Sequence, residues 1–335
     1  MKPPTIYDVA KHAGVSHQTV TRYLNGFKGI RPQTRQRVEE ALAALDYRPN
    51  SAARLLRSQR TNRIGVLADR IDQSGPARIL TGAGELAHRR GYVLDVVVAD
   101  GTSAGSVAAS LATIIEHQVA GILATAQSDV VLEELRRQAT AAPLVIGADP
   151  GTESDQPTVN ELAGRYAADH LLDLGHRRIG YLAGPEVWIA ARGRTEGFTR
   201  RVLERGGRIV WVRQGDWSAA SGHAVWGELG ADERAVTAVG VANDSMAIGL
   251  ISAAADSGVR VPDDLSVVGT DDLPEARFVL PALSTVAMDF EGEGRFLIEE
   301  LIAKIEGTDL PEDVRLPTPP HLIARASSSR PVTGT

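Results

Sequence analysis

Thr5-Ile-Tyr-Asp-Val-Ala-Lys-His-Ala-Gly-Val-Ser-His-Gln-Thr-Val-Thr-Arg-Tyr-Leu-Asn25 decides how the rest of this chain is read. Two short helical patterns meet in it at a glycine. Val9, Ala10 and Ala13 give the first an apolar face, and Val20, Tyr23 and Leu24 do the same for the second. Gly14 supplies the backbone freedom for a break, and Ser16 stands where the second helix needs an N-cap. Two helices of this size joined by a short glycine-containing turn form a helix-turn-helix, whose second helix fits the DNA major groove. A third pattern runs from about Thr34 to Asp46, with Val38, Ala41, Leu42 and Leu45 on one face and Pro32 and Pro49 as brackets. Three such helices close a small core. The basic stretch Pro49 to Arg60 follows; it is too short to hold a helix alone in water and is expected to become helical only when docked.

Charge separates this head from the rest. The net charge is −6, yet residues 1–60 hold 11 Lys and Arg against 4 Asp and Glu, while the remainder holds 25 against 38. A basic head on an acidic body points to a polyanionic partner for the head alone. There is no cysteine, so disulfide and thiolate chemistry are excluded. No apolar run approaches a membrane span, and no secretory leader opens the chain, so a cytoplasmic, nucleoid-associated protein without a membrane partner is expected.

From Arg63 onward, short β-rich runs alternate with amphipathic helical stretches. Strands are expected at 64–68, 93–99, 121–125, 144–147, 179–183, 209–213, 238–242 and 265–269, with helices at 76–90, 106–117, 161–174 and 246–257 among those between them. Alternation of this kind predicts α/β architecture with doubly wound parallel sheets. The number of strands suits two subdomains with a cleft between them, and ligands of such folds sit at the carboxyl ends of the strands. Residues 326–335, rich in Ser, Pro, Thr and Gly, read as a disordered tail.

Tyr7-Asp-Val-Ala-Lys-His-Ala-Gly-Val-Ser16 and Leu45-Asp-Tyr-Arg-Pro-Asn50 in the head resemble the lactose-repressor (LacI-type) family of bacterial transcription regulators, most closely its name-giving member. So do Leu182-Ala-Gly-Pro185, Gly215-Asp-Trp-Ser218, Val241-Ala-Asn-Asp244 and Ser266-Val-Val-Gly-Thr-Asp-Asp272 in the body. The resemblance runs from Lys2 to about Arg325. It implies a helix-turn-helix head over 1–48, a hinge helix over 49–61, and a core of the periplasmic-binding-protein type over 62–325. One subdomain would comprise 62–160 plus 288–318, the other 161–287 plus 319–325. It also implies a homodimer on a pseudo-palindromic operator, released or tightened by a small molecule, with no cofactor and no metal.

On this reading His17, Gln18 and Arg22 face the base edges. Gln pairs bidentately with adenine and Arg with guanine, while histidine is less restrictive. His17 departs from the tyrosine of the name-giving member, so the base it reads is expected to differ. Thr5, Tyr7, Ser16, Thr19, Asn25 and Thr34 would hold phosphates and set register, and Thr21 and Asn50 complete the DNA-binding set. For Thr19 and Asn25, plain helix polarity or capping competes evenly with that role. Leu56 aligns with the family's minor-groove wedge, whose insertion costs a few kcal/mol of unstacking that the bend offsets. Ala53 would lie near the groove floor, and Leu55 would pack the two linker helices together.

For the effector, the resemblance implies a neutral sugar, galactoside-like or another neutral saccharide. Arg194 would fork across two hydroxyls, Asn243 and Asp271 would serve neighbouring ones, and Asp149 the hydroxymethyl. Trp217 and Phe290 would wall the ring. Asp69, Ile71 and Gln73 line the same cleft by alignment, and Asp69 replaces a small hydroxyl residue of the name-giving member. Bland alternatives exist: Asp271 or Asp272 as a turn cap, Trp217 as core. Sugar binding is expected to disfavour the linker helices through a coupling of about 1–3 kcal/mol. A corepressor would reverse the sign; the resemblance favours induction.

Two other classes compete. Gly101-Thr-Ser-Ala-Gly105 has the nucleophile-elbow spacing of a hydrolase, and His170, His176, His223 and His321 lie downstream. A Ser capping a helix after a strand gives the same pattern. Gly82-Ala-Gly-Glu-Leu-Ala87 imitates a dinucleotide fingerprint but falls inside an expected helix, which is the wrong context. A pure sugar-binding receptor would share the core, and the basic head argues against it; the expectation is a non-enzyme. The small apolar face Ala77, Leu80, Ala83, Gly84 and Ala87 suits subunit packing. The chain ends without a leucine-heptad helix, so a dimer rather than a tetramer is expected.

Overall fold

The computed structural model describes residues 4–24, 27, 29–45, 47, 61–125, 128–138, 140–147 and 156–331. Two compact units divide between Thr61 and Asn62. The first begins with a reciprocal cap: the Asp8 carboxylate accepts from Thr5 N at 2.8 Å, and Asp8 N donates back to Thr5 Oγ1 at 3.4 Å. This starts α1, Ile6–Ala13. Gly14 ends it at φ 62, a left-handed conformation that side chains resist. Ser16 Oγ accepts from Thr19 N at 3.2 Å and so caps α2, His17–Leu24. Pro32 lies inside α3, Pro32–Ala44, in its first turn rather than before it, where the missing N–H costs nothing. Val9, Ala10, Ala13, Val20, Val38 and Ala41 form the core, with Leu24, Leu42 and Leu45 packed around it.

The second unit holds two sheets. β1 (Arg63–Ala68), β2 (Val93–Val98), β3 (Gly121–Ala124) and β4 (Leu144–Ile146) form a fully parallel sheet in the order β2-β1-β3-β4. Both faces of β1 are covered. Ile64, Val66 and Ala68 pack toward α4 (Ser74–Arg89) and α12 (Phe290–Glu306), while Leu67 packs toward α5 (Ala104–Glu116) and α6 (Asp129–Arg137). That two-sided burial is why β1 reads as an unbroken apolar run. The second sheet runs β10-β9-β8-β7-β5-β6. Its parallel members are β5 (Arg178–Ala183), β6 (Arg208–Gln214), β7 (Ala238–Val241), β8 (Ser266–Asp271) and β9 (Ser284–Ala287); β10 (His321–Ile323) is antiparallel to β9. Around it lie α7 (Val159–Asp173), α8 (Ile189–Glu204), α9 (Ala219–Glu228), the short α10 (Ala231–Arg234) and α11 (Asp244–Asp256). The chain passes between the lobes three times: after β4, after β9 and after α12.

Three expectations change. The eight expected strands are present, but β9 and β10 join them. The tail is not disordered through residue 331: Ser327 is fully buried, its hydroxyl donating to Val267 O at 2.7 Å and accepting from Ser284 N at 2.8 Å. Ser329 N donates to Ser266 Oγ, and His170 reaches Ser328 Oγ at 2.7 Å. Small hydroxyl residues that suggest disorder by composition here satisfy buried polar groups; residues 332–335 lie outside the described ones. Thirdly, the small face of α4 is partly spent within the chain. Ala83 and Ala87 are core, and a Cβ on Gly82 would stand 2.0 Å from Glu291 O of α12. Ala77, Leu80 and Gly84 stay half-buried.

No helix among the described residues is long and apolar enough to cross a membrane, and these residues contain no cluster of His, Cys, Asp and Glu suited to a metal.

Candidate functional site

In the head, α2 puts Val20 into the core and turns His17, Gln18 and Arg22 outward, where all three are exposed. Tyr7 is 65% exposed, and its ring lies 5.2 Å from that of His17, so α1 contributes to the same surface. The Arg22 guanidinium sits 5.6 Å over the Phe27 ring, which leaves its planar donors available to a base edge. Tyr23 turns the other way and donates to Glu39 at 2.9 Å, tying α2 to α3. Several hydroxyls already serve the helices. Thr5 and Ser16 are caps, Ser16 and Thr19 share a hydrogen bond of 2.9 Å, and Thr21 donates to His17 O. Thr34 is half-buried in the first turn of α3. Asn25, Asn50, Ala53 and Leu56 lie outside the described residues.

In the core, a cavity of about 540 Å³ opens between the lobes. Of the expected effector residues, Arg194, Trp217, Asp271 and Phe290 line it. Arg194, on α8, is 4% exposed. Its Nη1 donates to Asp271 Oδ1 at 2.9 Å and Ala242 O at 2.6 Å, and its Nε to Asn160 Oδ1 at 3.0 Å. Those bonds fix the guanidinium plane and, among the described residues, leave the Nη2 hydrogens for a ligand. Burial pushes the Asp271 carboxyl upward, and Arg194 draws it back. Asp271 and Asp272 both have positive φ, 116 and 52, so the end of β8 is a strained turn of the kind found at binding sites. Trp217, at φ 76, stands edge-on to Trp188 with centroids 5.7 Å apart and has Arg194 5.9 Å over its ring. A Cβ on Gly184 would reach within 2.3 Å of the indole, so the ring is wedged in place. Its Nε1–H is buried without an acceptor among the described residues.

Asn243, Asp69, Ile71 and Gln73 are not among the residues that line the cavity. Asn243 lies behind it, capping α11 through Met246 N and donating to Trp217 O, so it positions the indole instead. Asp69 is buried beside Gly101, and burial first, then the nearby Asp100, raises its carboxyl against the Gly101 amide. Ile71 is 44% exposed, and Gln73 donates to Asp72. Asp149 lies outside the described residues.

Sequence reasoning missed Asn160, Trp188, Met288 and Glu293, which also line the cavity. It missed Arg78 too, whose Nη1 donates to Asp271 O at 3.0 Å while Glu291 holds its Nε at 3.1 Å. Arg78 thereby joins α4 of one lobe to the β8 end of the other. Arg192 Nη2 of α8 donates to both carboxylate oxygens of Asp129 of α6, each at 2.9 Å, a second link between the lobes. Asn160 follows Thr158, whose capping box with Glu161 opens α7, and that box is legible in the sequence.

Asp244, the first residue of α11, is fully buried against this turn. Its Oδ1 accepts from Thr285 Oγ1 at 2.6 Å and its Oδ2 from Leu273 N at 2.8 Å. Burial, and then the Asp271 carboxylate, push its pKa up to about 8. The folded protein therefore keeps a proton that the unfolded chain releases near pH ~4, so stability falls as pH rises between those values. Asp244→Asn should flatten the decline in Tm between pH 5 and 8; parallel curves for the two proteins would contradict the assignment.

The hydrolase pattern resolves as a cap: Ser103 Oγ accepts from Ser106 N at 3.3 Å. His176 bonds Thr237, Ser266 and Ser329 O, and His223 bonds Asp256.

Residues 5–50 match the family described as "Bacterial regulatory proteins, lacI family", and residues 168–328 the one described as "Periplasmic binding protein-like domain". The chain is 31% identical to the lactose operon repressor of Escherichia coli K12, over 100% of this chain and 93% of that protein. It is 32% identical to the PurR repressor of Haemophilus influenzae Rd, over 96% and 98%. Among solved structures, the lac repressor dimer bound to operator and the anti-inducer ONPF superposes with a TM-score of 0.85 at 29% identity, over 98% of this chain and 100% of that one. A CelR–cellobiose complex superposes at 0.69 and 30%, over 97% and 100%.

Proposed function

Because the chain belongs to the LacI family of bacterial transcription regulators, we propose that a neutral saccharide, galactoside-like or similar, fills the cavity and releases its paired heads from a pseudo-palindromic operator. It is a DNA-binding repressor with a ligand-binding core. The observation that carries the saccharide reading is the charge of the cavity lining. Arg194 is the one basic residue among the described lining residues, Asp271 offsets it at 2.9 Å, and Asp289 and Glu293 add two further acidic side chains. An anionic effector would find no uncompensated cation there. Hydroxyls suit the remaining guanidinium hydrogens, and the faces of Trp217 and Phe290 suit the apolar faces of a pyranose ring.

In the proposed mechanism the sugar is held by Arg194 and Asp271 from one lobe and Phe290 from the other. Its arrival shifts α4 against the β8 end, where Arg78 bridges the two. Arg63 begins β1 of that same lobe, directly after the segment leading to the head, so the shift alters the spacing of the two heads in a homodimer. His17, Gln18 and Arg22 read bases, with Tyr7, Thr19 and Thr34 at phosphates and Leu56 as the wedge. The protein works in the cytoplasm on the nucleoid and performs no catalysis.

A duplex selected from randomised palindromes tests the DNA half. The full chain should shift it in a gel and a chain starting at Asn62 should not; equal binding by both would remove the head from the account.

A further inference from the structure

Arg22 projects from the last turn of α2 and is exposed, yet its guanidinium rests on something: the Phe27 ring, with its centroid 5.6 Å away. Phe27 N donates to Arg22 O at 3.0 Å, which ties the residue that carries the ring to that same turn. The ring lies against Gly29, where a Cβ would stand 2.5 Å from its edge. Phe27 is 51% exposed and belongs to none of the apolar clusters of the described residues, so packing the head is not its use. A ring is a particular kind of support. It attracts the flat face of a guanidinium and occupies none of the N–H edges that pair with a base. A carboxylate in the same place would take those edges and would repel the phosphates that flank the groove. An unsupported arginine must freeze several rotatable bonds on docking, whereas forking onto a guanine requires one plane.

We propose that Phe27 is a positioning residue for sequence recognition: its ring holds the Arg22 guanidinium in the plane that forks onto a guanine, and so sets how strongly the protein prefers guanine at that base pair. The inference rests on base reading by Arg22 and deepens it. Phe27 touches no base in this arrangement. It acts through Arg22, by reducing the freedom that the side chain loses on docking and by keeping its donor edge turned outward.

The full chain, an operator selected from randomised palindromes and every single-base variant of that operator test this. Arg22→Ala identifies the base pair at which preference relaxes. Phe27→Ala should lower the preference at that same pair by about three- to thirtyfold, the range of a cation–π contact, with Tm and the salt slope of binding unchanged. Phe27→Tyr and Phe27→Trp, which keep a ring face, should retain the preference. Phe27→Leu, which keeps apolar bulk without the ring, should behave like Phe27→Ala. Phe27→Ala that leaves the preference intact, weakens all operators alike or relaxes a different base pair overturns the positioning role and leaves base reading by Arg22 standing. A preference kept by Phe27→Leu overturns it as well, because bulk alone would then suffice. If Arg22→Ala itself weakens all operators alike, the base reading falls and this inference with it.

Discussion

Arg194→Ala is expected to abolish the response to effector while leaving operator binding in place. The guanidinium offers the ligand two charge-assisted hydrogen bonds, each about 1.5–3 kcal/mol, so affinity should fall by more than about a hundredfold. The structural cost is separate. Asp271 is 5% exposed and Arg194 is the cation that compensates it, so the variant buries an unpaired charge, at about 3–5 kcal/mol. A marked fall in Tm should therefore accompany the lost response. Arg194→Lys restores the charge but not the fork, and should recover stability without recovering affinity. Effector affinity that survives Arg194→Ala in a folded protein would place the site elsewhere.

Arg22→Ala should act on the other function alone. The side chain is exposed, and its one described contact is the Phe27 ring, so the head should melt unchanged. If Arg22 reads a guanine, operator affinity falls by about 1–3 kcal/mol and discrimination relaxes at one base pair. A phosphate contact would behave differently: affinity would fall alike on all sequences and the salt slope would drop by about one. Measuring both the salt dependence and a panel of single-base operator variants separates the two. Uniform weakening with a reduced slope would contradict base reading by Arg22.

The sequence carried the head almost completely, because three apolar faces, a left-handed glycine and a serine cap are local signals. The sheets were legible for a similar reason: strands buried on both faces, such as β1 and β3, are nearly unbroken apolar runs. β9 escaped because Ser284 and Thr285 look like loop residues. Both are fully buried, and their hydroxyls answer Arg325 N and the Asp244 carboxyl, partners distant in sequence. The Ser-rich tail escaped in the same way. At the site, Arg194 and Asp271 came through the order of motifs. Asn243 is ambiguous by sequence, since a polar residue directly after a strand suits a ligand contact and a helix cap equally, and in the structure it is the cap. Glu293 and Asn160 sit in the first turns of helices, where acidic and amide residues are ordinary, so nothing local marks them as facing a ligand.

The central claim is a linkage between cavity and head, and titrating one against the other measures it directly. Fluorescence anisotropy of a labelled, selected operator should be recorded with the full-length protein at rising concentrations of the saccharide that most raises its Tm. The account predicts that the operator Kd weakens by about 5–150-fold at saturation, and that operator DNA weakens saccharide binding by the same factor. An operator Kd that stays constant while calorimetry shows the cavity filled would contradict it.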